Sequence, residues 1–353
     1  MADLIVAGAG MAGLVAAAQA RRRGAEVELQ EKLDRPGGSM RLSSGVVWRH
    51  RELADFRRDC PQGDPALQRL VFERLDRDLD WLGSLGAPVL ARDTGNPRTR
   101  GWRFDPAGLT EALLRAAGPV RLEDPLRAIP GRTPVVLATG GFAADRELVR
   151  RHVTPQADHL LLRAAPGATG DGLRLGIAAG GRASAGLDQA YGRNMPAPPA
   201  RVGPDGYVPL AQLYGRAAEI TNRDGDRYEA RSWSEIDVFQ WTARQPGARA
   251  WFRIGEERLG NSVGGRAIAT MIDAAEAAGA RVRREDGTVL VETVAGITST
   301  LGGLAVDERC RIAAQVFAVG GDVGGIATGG YSSGLAAALV LGRIAADAAL
   351  DGA

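Results

Sequence analysis

The first thirty residues of the chain combine short apolar runs with one stretch of small residues. Residues 4–7 (Leu-Ile-Val-Ala) form an apolar run with the length of a buried strand. A glycine-rich turn follows, residues 14–24 then have the composition of a helix, and residues 25–31 have that of a second strand. This pattern predicts the order strand, turn, helix and strand at the start of an α/β domain.

Apolar side chains recur at spacings of three and four residues in several longer stretches. The clearest is residues 64–86, where Leu75 and Leu79 share one face, Asp64 is suited to cap the first turn and Pro65 to fill the first helical position. Related patterns predict further helices over residues 106–117, 147–152, 173–179, 265–278 and 334–350. Short strands are predicted over residues 120–129, 134–138 and 316–319.

The composition of the chain changes near residue 188. Prolines become frequent, and aromatic residues concentrate downstream at Tyr191, Tyr207, Tyr214, Tyr228, Trp233, Phe239, Trp241, Trp251 and Phe252. A chain of 353 residues is long enough for one large α/β domain and a smaller one. We therefore predict that a separate, less regular domain begins here.

Three glycines in the first turn have distinct physical roles. Gly8 allows the tight turn out of the strand, Gly10 lets the backbone approach a pyrophosphate, and Gly13 lets the helix lie close to the sheet. Glu31 ends the second strand eighteen residues after Gly13, where a carboxylate is suited to accept both hydroxyls of an adenosine ribose. The motif predicts a dinucleotide site, and by itself it leaves NAD and FAD as alternatives.

Charge and composition narrow the class of protein. The formal net charge is +2, Lys32 is the only lysine, and the many arginines are interleaved with acidic residues. This distribution is typical of a solvated surface and argues against a nucleic-acid partner.

The cysteines and histidines show no metal-binding pattern. Cys60 and Cys310 are far apart, and the histidines His50, His152 and His159 lack metal-ligand spacing, so we expect neither a disulfide framework nor a metal site. The first predicted strand begins at Leu4, and no apolar run reaches the roughly 18 residues that a membrane helix requires. We expect a cytoplasmic protein without a membrane span.

Glycine-rich segments return at the ends of later predicted strands. They are residues 37–48, 139–142, 167–172 and 320–325, followed by the helix that starts at Gly334. Together with Gly8–Gly13 and Glu31, and with the segments 222–228, 300–304 and 342–345, they stand in the order found in one superfamily. The chain resembles the FAD-dependent flavoproteins of the fumarate reductase, succinate dehydrogenase and 3-ketosteroid 1-dehydrogenase superfamily. Its loop motifs are most similar to those of the ketosteroid dehydrogenases.

The resemblance implies an α/β fold with a Rossmann-like FAD-binding domain of the glutathione-reductase type and an inserted α+β capping domain. The FAD-binding domain would comprise residues 1–186 and 297–353, and the capping domain residues 187–296. FAD would bind non-covalently, because the histidine that carries the covalent bond in some members has no counterpart in residues 41–44. Its expected contacts are Gly8, Gly10, Met11, Ala12, Gly13, Glu31, Lys32, Gly38, Ser39, Ser43, Ser44, Leu126, Thr139, Gly140, Asp171, Asp322, Gly334 and Leu335.

The resemblance also indicates which residues carry the chemistry. The proton-transfer residue of these enzymes lies eight positions after a motif arginine, and the same count from Arg227 reaches Glu235; an ordinary surface glutamate is the alternative. The motif's own acid is replaced by Arg231. Tyr331 and the backbone N–H of Gly334 correspond to the pair that holds the substrate ketone oxygen in ketosteroid dehydrogenases, although a tyrosine packed against the flavin would fit as well.

Groups that bind fumarate in relatives are missing from this chain. Ser299 stands where a histidine is expected, and residues 329–334 contain no arginine. The aromatic residues expected in the capping domain would suit an apolar substrate, with Tyr191 and Trp233 as binding candidates beside Tyr331, and Tyr214 and Trp241 as further aromatics.

These features predict an FAD-dependent oxidoreductase of the CH–CH class. It would desaturate a ketone or reduce an enone that is neutral, hydrophobic and cyclic, with an electron acceptor or donor that the sequence does not identify. The alternatives are a fumarate-reductase-like reductase of an unsaturated carboxylate and a flavin-binding protein without redox turnover.

Overall fold

A computed structural model describes residues 2–230 and 235–352 of the chain. Its α-helices within those ranges are, in chain order, α1 (Met11–Arg22), α2 (Leu53–Asp59), α3 (Pro65–Ser84), α4 (Pro106–Ala117), α5 (Arg146–His152), α6 (Asp171–Ala178), α7 (Ile236–Thr242), α8 (Ile268–Ala277) and α9 (Gly334–Asp351).

The strands of the same ranges are mostly short. They are β1 (Leu4–Ala7), β2 (Val27–Gln30), β3 (Val46–His50), β4 (Val89–Ala91), β5 (Thr99–Phe104), β6 (Val135–Leu137), β7 (Leu161–Leu162), β8 (Ala190–Pro196), β9 (Glu219–Thr221), β10 (Arg249–Gly255), β11 (Ser262–Val263), β12 (Arg266–Ala267), β13 (Val282–Glu285), β14 (Thr288–Thr300), β15 (Arg311–Ala313) and β16 (Val316–Ala318).

The chain divides into two compact units. Unit 1 contains Met1–Asp145, Ala164–Gln189 and Ser299–Ala353, and unit 2 contains Arg146–Arg163 and Ala190–Thr298. The sequence prediction placed the second domain at residues 187–296, whereas unit 2 also takes in the earlier stretch that carries α5 and β7.

A five-stranded sheet forms the centre of unit 1. Its strand order is β15-β16-β6-β1-β2, and β1 pairs in parallel with both β2 and β6, so that Ile5 lies between Glu28 and Val135. Strand β16 continues the parallel arrangement, while β15 adds an antiparallel edge. Parallel strands linked through helices confirm the predicted α/β class.

The helices of unit 1 begin where their sequences provide caps. The Asp64 side chain accepts hydrogen bonds from the N–H groups of Ala66 and Leu67, and Asp105 caps α4 through the N–H of Gly108. A proline follows each cap, as the sequence predicted for Asp64 and Pro65. Helix α1 packs against α4 and α9, and α9 is almost entirely buried along its length.

Two smaller layers complete the units. In unit 1, an antiparallel sheet has the order β3-β5-β4, which carries Trp48 and His50 on β3. In unit 2, the long strand β14 pairs with β10, β13, β7 and β8, and β9 extends the sheet from β10. The core of unit 2 contains Tyr214 and Phe252, with Trp241 packed against it.

The strand predicted over residues 120–129 is wrong. Only Arg121 forms a bridge, to Gln30, and the chain then leaves the extended conformation at Glu123, whose φ is +55°. Residues 121–124 nevertheless follow the end of β2 through backbone hydrogen bonds, including Asp124 N–H to the Glu31 carbonyl at 2.9 Å. The apolar residues here had suggested a strand, but a left-handed residue interrupts the ladder.

Candidate functional site

The three glycines of the first turn differ in how closely other atoms surround them. A Cβ on Gly8, whose φ is +104°, would lie 2.3 Å from the Ala138 carbonyl oxygen, and one on Gly13 would lie 1.8 Å from the Gly8 oxygen. A Cβ on Gly10 would meet nothing nearer than the Gly38 Cα at 4.0 Å. Gly8 and Gly13 are therefore required by the fold itself, whereas Gly10 leaves open space at the start of α1, as a bound pyrophosphate requires.

Helix α1 begins at this space without a side-chain cap. Gly10 is its N-cap residue, and the following Met11 and Ala12 are buried. Backbone N–H groups at a helix start, with no side chain in front of them, form a suitable site for phosphate oxygens.

Glu31 is fixed next to the turn. The residue is 8% exposed, and its two carboxylate oxygens accept hydrogen bonds from the Ala9 N–H at 2.8 Å and the Leu33 N–H at 2.9 Å. Each oxygen retains a second lone pair with which to accept a ligand hydroxyl.

Lys32 joins the Glu31 segment to the start of α6. Its Nζ donates to Thr169 Oγ1 at 2.5 Å and forms an ion pair with Asp171 at 2.6 Å. The two predicted cofactor residues Lys32 and Asp171 are thus brought together, and Thr169 is a partner that the sequence did not single out.

Thr139 and Asp322 form a second polar centre in unit 1. The fully buried Asp322 carboxylate accepts hydrogen bonds from the Thr139 N–H at 2.5 Å, from Thr139 Oγ1 at 2.9 Å and from the Gly141 N–H at 3.0 Å. Thr139 Oγ1 in turn accepts the Gly172 N–H at 2.9 Å. Burial raises the pKa of Asp322, and the three donors oppose that effect.

The serine-rich loop after β2 is shaped by its own hydrogen bonds. Ser39 Oγ accepts the Ala165 N–H at 2.9 Å, and Ser43 Oγ donates to the Met40 carbonyl at 2.7 Å. Gly38 has a φ of +50° and lies against Gly10, since a Cβ on it would be 3.2 Å from the Gly10 Cα. The loop that was predicted to contact the cofactor therefore lies against the glycine turn.

The remaining predicted contacts are partly or fully exposed. Ser44 and Gly140 are exposed, and Leu126 is partly exposed. At the start of α9, the Ser333 side chain caps the helix by accepting the Ala336 N–H, while Gly334 is exposed and Leu335 partly exposed. A Cβ on Gly334 would meet no described atom within 4 Å.

Tyr331 lies in the loop before α9 and is partly exposed. Its ring makes an edge contact with Trp48, with ring centroids 5.4 Å apart and planes inclined by 60°. Its backbone N–H donates to the sulfur of Cys60. The sequence identified Tyr331 and Gly334 but did not indicate that Trp48 and Cys60 hold this loop.

Glu235 lies in unit 2, just before α7, and is partly exposed. One carboxylate oxygen accepts the Arg216 N–H at 3.0 Å. Burial raises the pKa of Glu235 to about 7, although the Arg216 hydrogen bond and the positive charges of Arg193 and Arg216 act in the opposite direction. An acid with this pKa is suited to give or take a proton near neutral pH.

The other predicted substrate residues differ in what the structure describes. Tyr191 lies on β8, with the Arg193 guanidinium 5.3 Å from its ring centroid. Trp233 and Arg231 lie outside the described residues. Tyr214 is fully buried in the core of unit 2, and the partly buried Trp241 packs against that core.

Over residues 2–230 and 235–352, no group of three His, Cys, Asp or Glu side chains is placed to hold a metal ion. None of the helices described there is long and apolar enough to cross a membrane.

Unit 1 fits an extended dinucleotide with a long polar middle. The space above Gly10 suits a pyrophosphate, Glu31 is fixed at one end, and the Thr139–Asp322 centre and the open start of α9 offer acceptors and N–H groups elsewhere in the same unit. These extra polar centres go beyond what a single nucleotide turn provides.

Comparison with known proteins agrees with this geometry. The FAD binding domain family matches residues 3–121 and 123–335. A fumarate reductase (cytochrome) from Shewanella frigidimarina is 25% identical, and the match covers 84% of this chain and 60% of that protein. The chain thus spans about 60% of the length of this curated relative.

Two solved structures share the fold. One is a 3-ketosteroid Δ1-dehydrogenase from Sterolibacterium denitrificans, with a TM-score of 0.74, 16% identity and coverage of 100% of both chains. The other is a 3-ketosteroid-Δ4-(5α)-dehydrogenase from Rhodococcus jostii RHA1, with a TM-score of 0.71, 17% identity and coverage of 99% and 96%. The predicted Rossmann-type FAD fold and FAD as cofactor are therefore confirmed. The chain is similar in sequence to fumarate reductases and in fold to 3-ketosteroid dehydrogenases, and it belongs to the FAD binding domain family.

Proposed function

We propose that this flavoprotein catalyses hydrogen transfer at a CH–CH bond next to the carbonyl group of a neutral, hydrophobic, cyclic ketone or enone. The observation that carries the proposal is the loop before α9. It contains the partly exposed Tyr331 and, three residues later, the exposed Gly334, and residues 329–334 include no cation. Two neutral donors suit a ketone oxygen, whereas a carboxylate calls for arginine.

Three groups of unit 1 would hold FAD. The first N–H groups of α1 would bind the pyrophosphate, Glu31 would accept the adenosine ribose hydroxyls, and Asp322 would hold the ribityl chain. Non-covalent FAD, when bound, supplies hydride transfer to or from its N5 atom. Unit 2 then serves as the capping domain that the sequence indicated at residues 187–296.

Each catalytic residue has one role in this mechanism. The Tyr331 hydroxyl and the Gly334 N–H donate to the carbonyl oxygen and stabilise the negative charge that develops on it. Glu235 takes a proton from the carbon next to that carbonyl during desaturation, and gives one back during reduction. Its pKa of about 7 leaves both protonation states populated near neutral pH.

A second candidate function is reduction of an unsaturated carboxylate. It is favoured by the identity of 25% to a fumarate reductase and by the two arginines, Arg193 and Arg216, whose charges act on Glu235. Against it stand Ser299 in place of the expected histidine and the lack of arginine in residues 329–334.

Anaerobic flavin spectroscopy separates the candidates. The oxidised holoenzyme is mixed with 4-androstene-3,17-dione, and the dithionite-reduced holoenzyme is mixed in parallel with 2-cyclohexen-1-one and with fumarate. We expect bleaching or reoxidation with the ketone or enone and none with fumarate. Reoxidation by fumarate alone would replace the proposal with the second candidate, and no change with any compound would favour a flavin protein without redox turnover.

The Tyr331→Phe variant tests the mechanism directly. Removing a hydrogen bond to a developing oxyanion should lower the rate roughly 100-fold while FAD remains bound. Unchanged turnover in this variant would remove Tyr331 from the carbonyl site.

A further inference from the structure

The loop that carries Tyr331 is attached to the turn between α2 and α3. The Asp64 N–H donates to the Gly325 carbonyl at 2.6 Å, and the Gln62 N–H donates to the Thr328 carbonyl at 3.2 Å. Both residues precede α3, so the turn follows the loop at two separate points. These backbone bonds fix the path of the loop without involving any of the proposed catalytic groups.

Gln68, on the first turns of α3, ties the same two segments together from inside. It is 1% exposed, and its Nε2 donates to the Cys60 carbonyl at 2.8 Å and to the Ile326 carbonyl at 3.1 Å. A buried amide that bridges two carbonyls is costly to remove, because both acceptors would lose their partner.

The contact becomes closest next to Tyr331. A Cβ on Gly330 would lie 1.6 Å from the Asp59 carbonyl oxygen, so the two backbones touch and only glycine fits. The Cys60 sulfur would lie 3.2 Å from the same Cβ, so it is packed against this backbone, and it accepts the N–H of the next residue, Tyr331. Cys60 itself is 1% exposed. Burial raises the pKa of Cys60 to about 12, so this thiol stays protonated near neutral pH and is a poor nucleophile.

The ring of Tyr331 is held from a different direction. Trp48 contacts it edge-on, and His50 makes a similar edge contact with Trp48, with centroids 5.4 Å apart in each pair. His50 is stacked on Phe56 at 5.0 Å and lies 3.3 Å from an Asp59 oxygen. The backbone and the ring of Tyr331 are therefore both contacted by one stretch of the chain, which runs from β3 to the first turn of α3.

We propose that Cys60 and Gln68 are positioning residues, which set the place of the Tyr331 hydroxyl through the backbone of its loop, with Trp48 orienting the ring. The inference rests on the proposed role of Tyr331 at the substrate carbonyl. It predicts that the effect of changing Cys60 on turnover passes through the Tyr331 hydroxyl. A thiol that only filled space would affect stability and not this one group.

The test is a double-mutant cycle with a matched control. Cys60→Ala removes the sulfur acceptor, and Cys310→Ala makes the same deletion at the other buried cysteine of unit 1, whose sulfur interacts with the Leu341 carbonyl. Each is combined with Tyr331→Phe in the holoenzyme, and kcat/KM is measured with 4-androstene-3,17-dione and an artificial electron acceptor, and with 2-cyclohexen-1-one and reduced methyl viologen as electron donor. We expect Cys60→Ala to lower kcat/KM about fivefold, as loss of one hydrogen bond would, and to have no further effect once Tyr331 is phenylalanine.

A second measurement does not depend on turnover. The chain has five tyrosines, so incorporation of 3-fluorotyrosine gives a small set of ¹⁹F NMR signals in which Tyr331→Phe identifies one. Cys60→Ala and Gln68→Leu should each shift that signal, and Cys310→Ala should leave it in place.

The outcomes are distinguishable. If Tyr331→Phe is fully active, the proposed role of Tyr331 fails and this inference fails with it. If Tyr331→Phe is impaired but Cys60→Ala costs the same factor in both backgrounds, or the Tyr331 signal does not move, the role of Tyr331 stands and the positioning role is refuted. Equal losses from Cys60→Ala and Cys310→Ala would also refute it.

Discussion

Replacing Glu235 with glutamine should change how the stability of the protein depends on pH. Burial raises the pKa of this carboxyl from 4.5 to about 7. The folded state therefore binds the proton more tightly than the unfolded state, and the contribution of Glu235 to stability is greatest below pH 4.5 and is lost as the pH rises towards 7. Glutamine keeps an oxygen that accepts the Arg216 N–H but has no proton to lose.

The size of the effect follows from the pKa difference. A shift from 4.5 to about 7, at about 1.36 kcal/mol per pKa unit, corresponds to about 3 kcal/mol over the full range. Because the residue is partly exposed, solvent screening reduces this, and we expect the wild type to lose about 2 kcal/mol relative to Glu235→Gln between roughly pH 5 and pH 8.

The assay is urea unfolding of both proteins across that pH range, followed by tryptophan fluorescence. Subtracting the variant from the wild type cancels the other titrating groups. The matched control is Glu276→Gln in α8 of the same unit, where the hydrogen bond from Arg284 lowers the pKa of the carboxyl. Its contribution has the opposite sign, being present above the unfolded pKa and lost in acid.

A flat difference between wild type and Glu235→Gln would refute the argument. It would mean that the pKa of Glu235 is ordinary, and the residue would then be almost fully ionised near neutral pH. Turnover provides a second test of the same pKa. The rate of ketone desaturation by the wild type should rise with pH through about 7, because the base must be deprotonated. Glu235→Gln should have almost no turnover while FAD stays bound.

Three further predictions concern unit 1. Gly10→Ala should fold normally but lower FAD affinity roughly tenfold or more in a flavin titration, because the new methyl group occupies the open space. Gly13→Ala should instead destabilise the apoprotein. The reverse result would contradict the roles given to these two glycines. Asp322→Asn should lower the melting temperature of the apoprotein as well as FAD affinity, since an amide nitrogen cannot accept the hydrogen bonds that the buried carboxylate accepts, at a cost of about 1–3 kcal/mol. Asp64→Ala should cost about 1 kcal/mol of stability by loss of the α3 cap, and unchanged urea unfolding would show that the cap is not needed.

Much of the fold could be predicted from local patterns. The Asp64 cap of α3 and the start of α9 depend on backbone angles and hydrogen bonds within a few residues. The prediction over residues 120–129 failed because its apolar residues suggested a strand, whereas the left-handed Glu123 interrupts the extended chain. Such a conformation is stabilised by neighbours from elsewhere in the chain, here the backbone of residues 31 and 33.

The sequence by itself determined the fold class and a dinucleotide site, because the spacing of glycines, acids and apolar residues restricts local conformation. Its resemblance to known flavoproteins then indicated FAD and the chemical types of the candidate groups. Only the tertiary structure showed that Asp322 accepts from Thr139, 183 positions earlier, and that Cys60 accepts the N–H of Tyr331. It also revealed the burial that raises the pKa of Glu235. Contacts between distant segments depend on how the whole chain packs, and a short sequence pattern carries no information about which partner that packing brings to it.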